Sequence, residues 1–122
     1  IATDHAPHSL DEKQVEYVNA PFGIVGLETA IGLTVTGLLE PGVISLSRMV
    51  ELLAVNPRKI LGLPPVGIIQ GTPANLTIFD TDIEWTVDAS AFRSGSKNTP
   101  FHGRVLRGKA VGIVNNGQAI FG

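Results

Sequence analysis

A change of period at Pro64-Pro65 does most to limit what this chain can fold into. Before it, from Gly23 to Leu39, the apolar residues Ile24, Leu27, Ile31, Val35 and Leu38 recur at spacings of three and four, which predicts a helix with one buried stripe. After it come short alternating runs at 75–79, 83–87, 104–106, 109–114 and 118–121, and alternation at a period of two belongs to strands. The chain is therefore expected to be α/β, helices first and strands second, divided into 1–64 and 65–122. Ser45 offers an N-cap for a second helix whose apolar face is Met49, Leu52 and Leu53. Asn56-Pro57 opens a third, from Arg58 to Leu61, closed by Gly62. Asn115-Asn116-Gly117 supplies the positive-φ residues of a tight hairpin. Gly26, Gly32 and Gly37 each cost a helix about 1 kcal/mol against alanine, so the first helix is expected to depend on close packing. The polar loop from Asp88 to His102 is about 15 residues long, a length that a compact domain keeps for function or for covering something.

Composition removes several classes of function. The 122 residues are 43% hydrophobic, enough for one module and no more. The net charge is −2 and the nine Lys and Arg are scattered, so no basic stripe exists to neutralise a phosphate backbone, and nucleic acid is not an expected partner. The absence of cysteine removes disulfides, zinc-thiolate sites and thiol nucleophiles, and agrees with a reducing, cytoplasmic compartment. No run approaches the roughly 20 apolar residues of a spanning helix, so no membrane role is expected. The chain opens Ile1-Ala2-Thr3-Asp4, without methionine, and runs at once into its densest chemistry, which leads to the expectation of a stretch taken from a longer polypeptide.

That chemistry is Thr3-Asp4-His5-Ala6-Pro7-His8, a carboxylate and two imidazoles within five residues. On its own the pattern is open to three readings: a metal site, an acid and base, or a hydrogen-bonded turn. It is followed in order by Pro21-Phe22-Gly23-Ile24-Val25-Gly26-Leu27-Glu28-Thr29, Asn56-Pro57 and Asn98-Thr99-Pro100-Phe101. In this combination the chain resembles the class I bacterial dihydroorotases, amidohydrolases that interconvert N-carbamoyl-L-aspartate and dihydroorotate in pyrimidine synthesis, and it resembles their C-terminal portion over essentially its whole length. One departure is Ala74-Asn75-Leu76, where that family more often has Ala-Asp-Leu.

The resemblance implies a C-terminal fragment of a metal-dependent (β/α)8 barrel in 1–64, with Thr3-Asp4 ending the eighth strand, where such barrels collect their catalytic groups. Residues 65–122 would be the C-terminal strands of a small composite β-sandwich. It implies that Asp4 binds the more buried of two zinc ions, takes the proton of the attacking metal-held hydroxide and gives it to the leaving nitrogen. His8 is implied to recognise the substrate carboxylate, the other reading being a histidine that ties down its loop. Pro21, Phe22 and Gly23 would set a backbone amide and carbonyl against the dihydroorotate ring, or form a plain helix entry with a φ constraint. His5, next to Asp4 on an extended chain, points away and is structural. Glu28, His102 and the Asn98-Thr99-Pro100-Phe101 segment are given packing roles. The remaining zinc ligands of the family lie upstream of the Asp4 strand, so these 122 residues alone are expected to be inactive. The partners implied are the small-molecule substrate, the upstream part of the same enzyme, a second copy in a homo-oligomer, and aspartate transcarbamoylase. A non-catalytic subunit serving as scaffold for aspartate transcarbamoylase, and an allantoinase or hydantoinase, are the alternatives.

Overall fold

The computed structural model describes all 122 residues, Ile1–Gly122. The chain forms a short helix α1 (Leu10–Lys13), a helix α2 (Ala30–Thr34) and a helical rod made of α3 (Leu46–Val50) and α4 (Asn56–Ile60). A three-stranded antiparallel sheet of order β1-β2-β3 follows, with β1 at Leu76–Thr86, β2 at Val105–Asn115 and β3 at Gln118–Phe121.

Helix α2 begins at Ala30, seven residues later than the apolar spacing predicts. The backbone groups of 24–26 are committed elsewhere and cannot close helical turns. Ile24 C=O accepts the Ala6 N–H at 2.9 Å, Val25 N–H donates to Asn98 C=O at 3.1 Å, and Gly26 N–H donates to His5 Nδ1 at 3.1 Å. Past Thr34 the helix widens into a π-helical turn, Val35–Leu39, and the chain then turns through Gly42 at φ +73°. The second and third expected helices run on as one rod. Ser45 caps its start, accepting the Arg48 N–H at 3.2 Å, and a π-helical turn at Glu51–Val55 joins α3 to α4. Pro57 therefore lies within a continuous rod rather than opening a separate element.

The five expected strand runs merge into three. Runs 75–79 and 83–87 are the two halves of β1, and runs 104–106 and 109–114 are the two halves of β2. The breaks in alternation are bulges: the β1–β2 register shifts between Ile78 and Phe79 and between Asp80 and Glu84, and Gly108 in β2 stands at φ +88°. The hairpin between β2 and β3 turns through Asn116 at φ +49° and Gly117 at φ +73°, the primed turn that its sequence predicts.

Helix α2 lies against β2 through small residues. A Cβ added at Gly32 would stand 3.1 Å from Leu106 and 3.2 Å from the Gly108 carbonyl, and one at Gly108 would stand 2.5 Å from Val35. The expectation of close packing thus holds at Gly32, and at Gly26, where a Cβ would meet the Thr3 carbonyl at 2.9 Å; Gly37 faces open space. The buried cluster is Val25, Val87, Phe92 and Leu106, with Leu33, Trp85 and Phe101 packed on it, so it draws on both halves of the chain. The Trp85 indole N–H donates to Gly108 C=O at 2.9 Å, which satisfies the one polar atom of that ring.

Only 12 residues are buried, and the chain exposes 8528 Å². A compact monomer of 12.9 kDa exposes about 6,300 Å², so about 2,200 Å² here is surface that a self-contained domain would have hidden. Much of it is apolar: Tyr17, Phe22, Ile60 and Ile68 are all more than four-fifths exposed.

Candidate functional site

Two segments run side by side at one end of the molecule. Thr3–His8 lies parallel to Gly23–Gly26 through the pairing of His5 with Ile24. The approach is close enough that a Cβ at Gly23 would overlap that of Ala6, and Gly23 holds φ +106°, a conformation open to glycine and strained for any other residue. Asp4 stands at φ +46°, in the left-handed region that Asp tolerates better than most residues. The chain is therefore not extended through position 4, as the simple alternation of side chains assumed. His5 is structural nonetheless, with its Nδ1 accepting the Gly26 amide. Asp4 is exposed, and its carboxylate accepts no hydrogen bond from this chain.

His8 leads into α1. Ser9 caps that helix with a reciprocal capping box: Glu12 N–H donates to Ser9 Oγ at 3.2 Å and Ser9 N–H donates to Glu12 Oε2 at 2.8 Å. The Ser9 N–H and hydroxyl, and then His8, whose Nδ1 stands 3.7 Å from Glu12, hold the Glu12 carboxyl below the usual range. One helical turn thus fixes the backbone just after His8. At the end of α1, Lys13 Nζ donates to the carbonyls of Pro21 at 2.8 Å and Gly23 at 3.1 Å, closing the loop 14–20. The Phe22 and Gly23 amides donate to nothing in the chain, and Phe22 is 94% exposed. Of the three backbone carbonyls in Pro21-Phe22-Gly23, two are already engaged; what this turn offers a ligand is its amides and the Phe22 carbonyl.

The long loop 88–102 closes over the same end. Glu28 accepts from Arg93 N–H at 2.7 Å, Ser94 N–H at 3.0 Å and Ser94 Oγ at 2.7 Å. Partial burial pushes this carboxyl up, and these donors, with Lys97 nearby, more than offset it and hold it below the usual range. Further along, Asn98 Nδ2 donates to Ala6 C=O at 3.3 Å and to Gly23 C=O at 3.1 Å, and Ser96 Oγ donates to His8 C=O. His102 sits away from this end, its Nδ1 accepting the Ala89 amide at 3.1 Å. The sequence reading missed Lys13 and underrated Asn98. Both act on partners 8 to 92 residues away, which no local pattern can reveal, though Asn98 did stand in a motif that had been singled out.

The donor chemistry fits zinc at one position only. Asp4 offers a free hard carboxylate, but no three His, Cys, Asp or Glu side chains converge anywhere in the chain, and one carboxylate does not hold a zinc ion. These residues by themselves do not build a metal centre.

Comparison with known proteins decides the family. A dihydroorotase of Chlorobaculum tepidum is 54% identical over 120 residues, which is 98% of this chain and 27% of that protein. A dihydroorotase of Acetivibrio thermocellus is 46% identical over 120 residues, again 98% of the chain and 28% of the relative. The chain belongs to the dihydroorotase family. As a dihydroorotase segment it spans about 27% of the length of the curated relatives it matches. No family model matches it. Among solved structures, the segment is similar to an L-hydantoinase (dihydropyrimidinase) from Arthrobacter aurescens, with 35% identity and a TM-score of 0.77 over 87% of this chain and 24% of that one. A dihydropyrimidinase from Brevibacillus agri superposes with a TM-score of 0.85 over 97% of this chain and 27% of its own, at 21% identity, a likeness of fold alone. The dihydroorotase segment is thus a small α/β piece with a three-stranded antiparallel sheet, and no helix in it is long and apolar enough to cross a membrane.

Proposed function

We propose that these 122 residues are the C-terminal part of an active, zinc-dependent dihydroorotase, with 1–64 closing a (β/α)8 barrel and 65–122 forming strands of a small composite sandwich. What carries this reading is one observation: an unpartnered Asp4 carboxylate and the free Phe22 and Gly23 amides are held on two segments locked side by side. The 54% identity to a dihydroorotase supports the substrate, (S)-dihydroorotate, and the place in pyrimidine synthesis, in the cytoplasm. About 2,200 Å² of excess surface supports the view that the rest of the enzyme covers this piece, with a second copy or an aspartate transcarbamoylase partner beyond it.

Hydrolysis adds water to the ring amide carbonyl and breaks the C–N bond, leaving N-carbamoyl-L-aspartate. Zinc, with Asp4 as its one ligand from this chain, would supply polarisation of that carbonyl and a more acidic water when bound. Asp4 contributes one ligand oxygen and the proton transfer: its carboxylate takes a proton from the attacking water and returns it to the leaving nitrogen, and in ring closure the transfers reverse. His8 donates to the substrate carboxylate from a backbone fixed by the capping box. The turn Pro21-Phe22-Gly23 presents the free Phe22 and Gly23 amides to the ring's polar edge.

The test is made on the full-length protein. It should interconvert dihydroorotate and carbamoyl aspartate, and Asp4→Asn should lower turnover by at least ~10²-fold with the fold retained. Failure to act on dihydroorotate, with turnover of a hydantoin or of allantoin instead, would sink the assignment.

A further inference from the structure

Resting on that reading, we infer that Asn98 is a positioning residue of the reaction: it holds the Asp4–His8 segment and the Pro21–Gly23 turn at a fixed separation without touching the substrate. Its amide nitrogen bridges the two segments, donating at 3.3 Å to Ala6 C=O, midway between Asp4 and His8, and at 3.1 Å to Gly23 C=O. Its backbone carbonyl accepts the Val25 N–H at 3.1 Å, so one residue grips the turn on both sides of Ile24.

The direction of the side chain is set as well. The single Ser96 hydroxyl proton is shared between Asn98 Oδ1 and His8 C=O, and with Oδ1 turned to that hydroxyl the amide nitrogen faces the two carbonyls. Gly23 C=O also takes Lys13 Nζ at 3.1 Å, so two donors from opposite ends of the chain converge on a single oxygen. The Pro21 carbonyl shares a peptide plane with the free Phe22 amide, and with the Gly23 carbonyl also held, the unpaired Gly23 amide is bracketed on both sides. Loop 93–98 is in turn tied down by Glu28, so Asn98 is delivered from a held loop. Catalysis loses steeply when reacting groups are misplaced by about an ångström, which is the scale on which this bridge operates.

The experiment uses the full-length protein with Asn98→Asp, which keeps the shape and replaces the bridging donor by an oxygen facing two carbonyls. The expected result is a rise in KM for dihydroorotate of at least ~10-fold, with a smaller change in kcat, from a protein whose melting temperature moves little. Asp88→Ala is the control, because it loosens the same loop at Ser90 without a bond to either segment; its KM should stay at the wild-type value. Should Asn98→Asp not fold, Ser96→Ala removes the hydroxyl that aims the amide and also reaches His8 C=O; a severalfold KM rise is then expected, and faster exchange at 22–26 as well as at 4–8 marks loss of the bridge rather than of the His8 contact alone. Amide hydrogen exchange reads the bridge independently of activity: in either variant, 4–8 and 22–26 should exchange faster while β1 and β2 do not. Unchanged KM and exchange in a folded Asn98 or Ser96 variant, or equal KM losses in Asp88→Ala, would overturn the assignment. If the wild type does not act on dihydroorotate, the proposed substrate fails, and the exchange result still decides whether Asn98 bridges the segments.

Discussion

Gly23→Ala separates two costs that the structure superimposes at one atom. The first is backbone strain, because φ +106° lies outside the regions open to alanine, and such conformations cost about 1–3 kcal/mol. The second is overlap of the new methyl with the Cβ of Ala6, an overpacking that costs about 1–3 kcal/mol. Together they predict a loss of about 2–6 kcal/mol in the full-length protein, measured as a shift in urea midpoint. Adding Ala6→Gly removes only the overlap and carries its own entropic cost of up to ~1 kcal/mol, so the double variant should recover about 0–3 kcal/mol and keep the strain. Because the Gly23 amide moves with its φ, KM for dihydroorotate should rise at least ~10-fold in both variants. A single variant within about 0.5 kcal/mol of wild type, or an Ala6→Gly change that costs as much in the Gly23→Ala background as in wild type, would refute the contact between residues 6 and 23.

Three further outcomes follow from other parts of the molecule. His8→Ala in the full-length enzyme should weaken dihydroorotate binding more than binding of an analogue lacking the carboxylate, and equal losses would leave His8 a loop-fixing residue. Glu28 has its folded pKa held below the ordinary 4.5, so its stabilisation is present above that value and lost as pH falls through the lower, folded one. The melting temperature of wild type should therefore exceed that of Glu28→Gln at neutral pH and converge on it in acid; a gap that persists or widens in acid contradicts this. The 122 residues alone should associate in light scattering and show no dihydroorotate hydrolysis with zinc added, and a cooperative monomeric unfolding transition would contradict the reading of the excess surface.

The parts of the fold that were legible are those written in local pattern. Asn116-Gly117 can hardly do other than turn, Ser45 caps as its position predicts, and the switch from helices to strands falls where the period changes. The strand breaks at Asp80–Glu84 and Gly108 were visible as lapses in alternation, but a lapse is ambiguous between a bulge and an end until the partner strand is known. Ile24 and Leu27 fit the helical stripe and yet lie outside α2, because backbone partners at Ala6, His5 and Asn98 outweigh a spacing that only permits a helix. The candidate site was legible as residue types and order. Its geometry was not, since each tie that builds it joins residues far apart in sequence.

Val25 gives this geometry a consequence for recombination. It sits two residues from Gly23 and is 2% exposed in the cluster formed with Val87, Phe92 and Leu106. A chimera that exchanged the strands of one homologue for those of another at Pro64-Pro65 would pair one parent's Val25 and Leu33 with the other's Phe92 and Leu106. Crossovers that move residues 23–33 together with 85–106 keep that packing within one lineage, and a library drawn on the chain's evident helix-to-strand border breaks it.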